Sequence, residues 1–287
     1  MRNLSIVRPI NLIIIALNIA IVDFFISQGM EWDGQRFLVM CLKLMVMVLL
    51  AAGGNVINDY FDQKSDAINR PHQQVVGRMM APKRAIQLHL VLTSAAIALA
   101  ILLSGIAHRK FYLLIAMTYA VVLYLYTPFL KRIPMIGNLT IAACVAFLPI
   151  WAVDGWFVLN ILQIQTVLWL VAFAFLSNFI REWVKDIQDG KGDESQGYQT
   201  AAVRWGPSVA IKILQFMWWL LTVLALIYCY FNPSWWSWTC VFLPHLLGWF
   251  PLWIAKADSD MARISKILKL NMVVGMMGIL INYLCFS

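Results

Sequence analysis

Two short acidic runs in this chain carry residues of the kind that hold a divalent cation. Asn58-Asp59-Tyr60-Phe61-Asp62-Gln63-Lys64-Ser65-Asp66 reads DxxDxxxD from Asp59, and Asp186, Asp189 and Asp193 repeat that spacing 127 residues further on. Carboxylates beside hydrocarbon are costly unless a cation or hydrogen bonds compensate them, so in an apolar chain they mark function. Mg²⁺ suits such sets, because it is usually held by a few carboxylates together with substrate phosphate oxygens. The two runs therefore predict Mg²⁺ sites, with a diphosphate bridged between the loops. The alternative of solvated, charge-rich cytoplasmic loops leaves the repeated spacing unexplained.

Cations nearby strengthen the phosphate reading. Arg70-Pro71 lies four residues past Asp66, Lys185 precedes Asp186, and Tyr126 is followed five residues later by Lys131. Arg and Lys give charge-assisted bonds to phosphate oxygens, and a Tyr hydroxyl can donate to a bridging one. For Lys131 and Arg132 an inside-face anchor is the competing role. Asp59 is left open between a metal and an ion pair with Arg70 or Lys131. On a helix, Asn55, Asn58, Asp59, Asp62 and Asp66 would share an arc of about 100°. Glu182, Asp186 and Asp189 would likewise share a face, with Gly190 and Gly192 expected to end that helix before Asp193.

These residues need elements to hold them, and composition says what kind. The chain is 62% hydrophobic and only 13% charged, the pattern of a polytopic membrane protein. Apolar stretches fall at 9–29, 36–57, 85–107, 111–129, 135–155, 160–180, 208–231, 235–256 and 264–286. They predict an all-α fold of about nine transmembrane helices, because a span must satisfy its own backbone and these runs are too long and continuous for barrel strands. The acidic runs follow the second and sixth stretches. That placement suggests two diverged four-helix units plus a ninth helix, in a single domain over 1–287 with Asp-rich loops at 58–84 and 181–207.

Alternation of nine spans gathers 18 of the 22 Lys and Arg on one face, which makes that face, the N-terminus and both acidic loops cytoplasmic and the C-terminus extracytoplasmic. The expected setting is the cytoplasmic membrane of a bacterium or archaeon. Met1 to Pro9 leads into the first span without a small-residue cleavage pattern, so that helix is expected to persist in the mature protein. The net charge of +8 reflects this topology and contact with anionic lipids, not nucleic acid, since no basic soluble domain is present. No obligatory protein partner is indicated.

Other polar positions fit structure as well as function. Cys41, Cys144, Cys229, Cys240 and Cys285 lie in apolar segments without CxxC spacing and read as packing residues. Trp235, Trp236 and Trp238 read as an interfacial anchor. Asn11, Asn18 and Asn138 are candidates for lining an acceptor cavity, with interhelical hydrogen bonds the equal alternative. Lys43 is expected to snorkel toward the extracytoplasmic surface, and His245, behind Pro244, to be a packing or kink feature.

The paired motifs resemble the UbiA superfamily of intramembrane prenyltransferases: Asn58-Asp59-x-x-Asp62-x-x-x-Asp66 with Arg70-Pro71, Tyr126 with Lys131, and Asp189-x-x-x-Asp193. Within it, Arg181-Glu182-Trp183-Val184-Lys185-Asp186-Ile187-Gln188-Asp189-Gly190-Lys191-Gly192-Asp193 is similar to the REIxKDIEDxxGD pattern of digeranylgeranylglyceryl phosphate synthases, also called geranylgeranylglycerol-phosphate geranylgeranyltransferases. The departures are Trp183 for Ile and Gln188 for Glu, the latter removing one charge from the run.

The resemblance implies a prenyltransferase of isoprenoid lipid biosynthesis that binds a polyprenyl diphosphate donor and a lipophilic acceptor. Mg²⁺ would be held by Asn58, Asp59, Asp62 and Asp66 and by Asp186, Asp189 and Asp193. The diphosphate would meet Asn58, Arg70, Tyr126, Lys131 and Lys185. Asp62, Asp189, Tyr126 and Lys131 are the expected catalytic residues, drawing charge from the departing diphosphate so that the allylic carbon ionises. Geranylgeranyl diphosphate and geranylgeranylglyceryl phosphate are the implied substrates. The alternative acceptor is an aromatic acid such as 4-hydroxybenzoate or dihydroxynaphthoate, as in quinone synthesis.

Two rivals fit less well. An ion-coupled transporter expects acid or broken helices at mid-membrane, whereas these carboxylates lie at one face. A phosphotransferase acting on nucleotide-linked alcohols shares the opening Asp186-x-x-Asp189-Gly190. Its motif continues with Ala-Arg where this chain has Asp193-Glu194, and the first acidic run would be unexplained.

Overall fold

In a computed structural model, residues 2–26, 33–72, 74–153, 159–254 and 258–286 are described. The ends of three expected spans, at 27–29, 154–155 and 255–256, lie outside them. Among the described residues the regular structure is helical, apart from one isolated bridge between Val76 and Met80. The chain divides into two compact units, Met1–Arg132 with Trp151–Asp154 and Ile133–Ile150 with Gly155–Ser287.

The first unit opens with a 3-10 turn, Arg2–Val7. Helices α1 (Pro9–Ile26), α2 (Gly34–Phe61), α3 (Gln63–Asn69), α4 (Pro82–Ile106) and α5 (Phe111–Tyr126) follow, then a 3-10 turn at Leu130–Arg132. Asp33 caps α2 by accepting from the Arg36 N–H at 2.7 Å, and Pro82 starts α4 where its missing N–H costs nothing. Helix α2 is central because Gly53 and Gly54 let two neighbours come close. A Cβ at Gly53 would lie 2.9 Å from Thr93 Oγ1 of α4, and one at Gly54 would lie 3.1 Å from Leu123 of α5. His89 of α4 uses that approach to reach the Gly53 carbonyl at 3.0 Å. Asn55 ties the N-terminal turn to α2 by donating to the Val7 carbonyl at 3.0 Å.

Lys43 does not snorkel. Its ammonium lies 2.6 Å from Asp23 of α1, both side chains are fully buried, and it also donates to the Ala152 carbonyl. Trp151 donates in turn to the Lys43 carbonyl at 3.1 Å. Asp23, 20 residues away on another helix, supplies a neutralising partner nearer than the membrane surface, and so removes the reason to reach for water.

The second unit holds α6 (Ile136–Ala146), most of α7 (Leu148–Ala152), α8 (Ile161–Ser195), α9 (Ala201–Trp205), α10 (Pro207–Phe231), a π-helical turn (Ser237–Phe242), α11 (Leu243–Leu247), α12 (Trp249–Ile254) and α13 (Asp258–Phe286). Helix α8 is its axis, packed by α6, α10 and α13, and starts in a capping box between Asn160 and Gln163. Buried indoles stitch the unit. Trp183 donates to the Ala210 carbonyl and Trp218 to that of His245, each at 2.9 Å. His245 is buried against the Phe173 ring, as a packing residue should be. Gly248 is needed where the chain passes the Trp218 ring, since a Cβ there would lie 2.1 Å from it.

Among the described residues six helices are long and apolar enough to cross a membrane: α1, α2, α4, α8, α10 and residues 260–285 of α13. The stretches expected at 111–129, 135–155 and 235–256 are helical but short or broken. The 16 residues of α5 span about 24 Å, less than the roughly 30 Å of bilayer hydrocarbon. Pro149 follows the break between α6 and α7, and Pro244, Gly248 and Pro251 punctuate the last of the three.

Candidate active site

The first acidic run sits where α2 gives way to α3. Helix α2 stops at Phe61 and Asp62 adopts φ −84°, ψ 5°, yet the turn-to-turn bonding continues. Asp62 N–H donates to the Asn58 carbonyl at 2.9 Å, and Asp66 N–H to Asp62 and Arg70 N–H to Asp66, each at 2.8 Å. Asn58, Asp62, Asp66 and Arg70 thus stack one turn apart despite the break, close to the single face expected of an unbroken helix.

Asp62 is the buried centre of this run. Lys131 donates to its Oδ2 at 2.9 Å and Asn58 Nδ2 to the same oxygen at 3.0 Å. Thr127 Oγ1, fully buried, donates to Asn58 Oδ1 at 2.9 Å. Asp62 Oδ1 is buried and has no hydrogen-bond partner among the described residues. A carboxylate oxygen left bare in this way is expensive, and a hard cation is the ligand that relieves it. The donor set therefore fits Mg²⁺.

Asp59 points elsewhere. It accepts from Arg8 at 2.7 Å, not from Arg70 or Lys131. Arg8 holds φ +54° at the turn into α1, and that turn aims it. Tyr126 is the last, half-buried residue of α5, and Arg70 is exposed after α3.

In the second unit α8 runs unbroken to Ser195, so the expected stop at Gly190 and Gly192 is overturned. The stop is Gly197, at φ +70°. Gly197 N–H donates to Glu194 O and Tyr198 N–H to Asp193 O, both at 3.0 Å, the paired bonds of a Schellman cap with Tyr198 buried behind it. Gly190 and Gly192 have no equivalent apolar follower. The longer helix keeps Asp193 within about 60° of arc with Glu182, Asp186 and Asp189.

Asp186 accepts from Asn138 of α6 at 2.9 Å, the interhelical hydrogen bond that was the equal alternative to an acceptor-cavity role for Asn138. Buried Glu182 Oε1 takes both Arg181, at 2.9 Å, and Lys185, at 2.6 Å. Lys185, which sequence alone would offer directly to phosphate, and Arg181 are thereby held on α8. Asp189 is half-buried and Asp193 fully buried. Asn11 and Asn18 are half-buried on α1. Among the described residues no three His, Cys, Asp or Glu converge on a metal-sized site, so the side chains do not form a closed ion cage. Mg²⁺ completes its shell with water and substrate oxygens and does not require such a cluster.

Residues 17–273 match the model of the UbiA prenyltransferase family. The chain belongs to that family. A digeranylgeranylglyceryl phosphate synthase of Methanopyrus kandleri is 27% identical over 98% of both chains, and one of Korarchaeum cryptofilum is 30% identical over 90% of this chain and 89% of its own. A solved structure concerning digeranylgeranylglyceryl phosphate synthase in membranes has a TM-score of 0.67 at 23% identity, covering 99% of this chain and 98% of that one. A UbiA homologue from Archaeoglobus fulgidus bound to GPP and Mg²⁺ has a TM-score of 0.62 at 16% identity, covering 97% and 99%. These likenesses show a shared fold. As a UbiA family member the chain is a prenyltransferase, integral to the membrane through its long apolar helices.

Proposed function

We propose that this UbiA prenyltransferase transfers a geranylgeranyl group from geranylgeranyl diphosphate to the free hydroxyl of geranylgeranylglyceryl phosphate or a similar lipid-soluble acceptor. The observation that carries the transfer chemistry is the buried Asp62 carboxylate, with one oxygen held by Asn58 and Lys131 and the other bare. Asn58, Asp62 and Asp66 in one unit and Asp186, Asp189 and Asp193 in the other are the proposed Mg²⁺ ligands. When bound, Mg²⁺ neutralises charge growing on the departing diphosphate. Asp59, paired with Arg8, braces the first set.

Lys131, Arg70 and Tyr126 of the first unit are the proposed donors to diphosphate oxygens, with Lys185 the candidate cation of the second. The allylic C–O bond breaks, the diphosphate departs with the electron pair, and the acceptor hydroxyl oxygen forms the new C–O bond and loses its proton. Apolar helix walls exclude water that would quench the allylic cation. The glycerol-lipid acceptor is favoured by the names of the relatives.

The same reading takes the chain as one prenyltransferase domain of nine spans, built from two diverged four-helix units with the acidic runs on the cytoplasmic face. The family match running through both units supports one domain. Division of the chain after Arg132 supports the duplication, and the bias of 18 of 22 cations supports the orientation.

The test incubates membranes containing the protein with Mg²⁺, labelled geranylgeranyl diphosphate and, separately, geranylgeranylglyceryl phosphate, 4-hydroxybenzoate and dihydroxynaphthoate. Labelled ether lipid from the first is expected. Product only with an aromatic acid overturns the acceptor, and no product with any, with diphosphate binding unchanged in Asp62→Ala and Asp189→Ala, overturns the site.

A further inference from the structure

We propose that Thr127 is a positioning residue that sets, through Asn58, which oxygen of Asp62 is presented to the cation. This rests on the reading of Asp62 as a Mg²⁺ ligand and extends it to a side chain that touches neither metal nor substrate. The relay has two links: Thr127 Oγ1 donates to Asn58 Oδ1 at 2.9 Å, and Asn58 Nδ2 donates to Asp62 Oδ2 at 3.0 Å. An amide turned the other way would set its oxygen against a carboxylate oxygen, so this orientation is the one that both partners favour.

The geometry gives Thr127 leverage. It follows Tyr126 directly and lies four residues before Lys131, so one short segment reaches the same Asp62 oxygen twice. Lys131 does so directly, at 2.9 Å, and Thr127 through the amide. Two donors on Oδ2 fix the carboxylate plane and leave Oδ1, buried and without a hydrogen-bond partner among the described residues, as the atom facing the cation. Without the Thr127 hydroxyl, Asn58 loses the bond that holds its side-chain torsion. Asp62 is then held by Lys131 alone, free to rotate and engage that lysine with both oxygens. Such a carboxylate still carries its charge but binds Mg²⁺ in competition with its own ion pair.

The test uses the full-length protein in nanodiscs and measures Mn²⁺ binding by the loss of EPR signal relative to empty nanodiscs in the same inorganic diphosphate solution, so that the Mn²⁺–diphosphate complex is subtracted. Thr127→Val is expected to weaken binding about five- to tenfold, the scale of one lost hydrogen bond to an oriented amide. Thr127→Ser, which keeps the hydroxyl, is expected to stay within about twofold of the parent. In an Asn58→Ala background Thr127→Val should cost less than about twofold more, because the relay is already cut. Should the valine variant fail to give a monodisperse particle, Thr127→Ala replaces it in both backgrounds. Parent-like binding by the Val or Ala variant, or equal losses in both backgrounds, overturns the proposal. A parent protein that binds no Mn²⁺ with diphosphate overturns instead the metal-site reading beneath it. In turnover, the half-saturating Mg²⁺ concentration should rise in Thr127→Val while the acceptor KM holds, a split that general loosening of α5 would not give.

Discussion

The two acidic runs share one spacing and are built in opposite ways. The run after α2 sits at a helix break, buries Asp62 and neutralises it with a lysine from another segment. The run on α8 lies on unbroken helix, leaves Asp186 and Asp189 half-buried, and braces Asp186 with the neutral amide of Asn138. Its cations are engaged by Glu182 of the same helix. The first run is therefore centred on a buried carboxylate paired to a lysine, and the second on carboxylates along one helix face, where Asp186 is held by a neutral amide. Equal spacing does not make equal roles. What surrounds each carboxylate decides how much of its charge is already spoken for.

The largest effects should come from the carboxylates themselves. Asp62→Asn and Asp189→Asn are each expected to lower kcat about 10²- to 10³-fold, and chelation of Mg²⁺ to abolish turnover. Near-parent turnover in either variant would show that only one run serves the chemistry. Stability separates the runs next. Lys131→Met strands a buried Asp62 and is expected to cost about 3–5 kcal/mol. Lys185→Met leaves Glu182 still paired to Arg181 and should cost about 1 kcal/mol or less. Similar shifts of thermal midpoint in the two variants would erase the distinction drawn between them.

Asn138→Ala removes one neutral brace and should lower activity about tenfold without loss of fold, checked by turnover beside a thermal melt. The smallest pair concerns how α8 ends. Gly190 is helical with nothing within 4 Å of an added Cβ, so Gly190→Ala should stabilise by about 0.5–1 kcal/mol. Gly197→Ala, at φ +70°, should destabilise by about 1 kcal/mol. Opposite signs in thermal unfolding are the expected result, and equal signs would return the helix end to Gly190.

Much of this was legible because it is local. Helical spans follow from continuous apolar runs, and the acidic runs announce themselves by their cost in such a chain. What escaped the sequence depended on helices meeting. Nothing in the spacing of Asp23 and Lys43 shows that α1 and α2 bring them to 2.6 Å, and the same is true of Arg8 with Asp59 and Thr127 with Asn58. Gly190 was misread because glycine both interrupts and tolerates helix. The residue that stops α8 is identified by the buried Tyr198 behind it, a contact visible only in three dimensions.

The buried pair of Asp23 and Lys43 also constrains how the protein enters its membrane. Helix α1 alone brings an anion into lipid and α2 alone a cation, each disfavoured, though by less than the roughly 2.5–3.5 kcal/mol of a helix centre, since Asp23 lies near the end of α1. Side by side they enter as a neutral hairpin. A chain arrested before Lys43 emerges should therefore insert α1 less completely than its Asp23→Asn variant, a difference that should shrink once α2 is made.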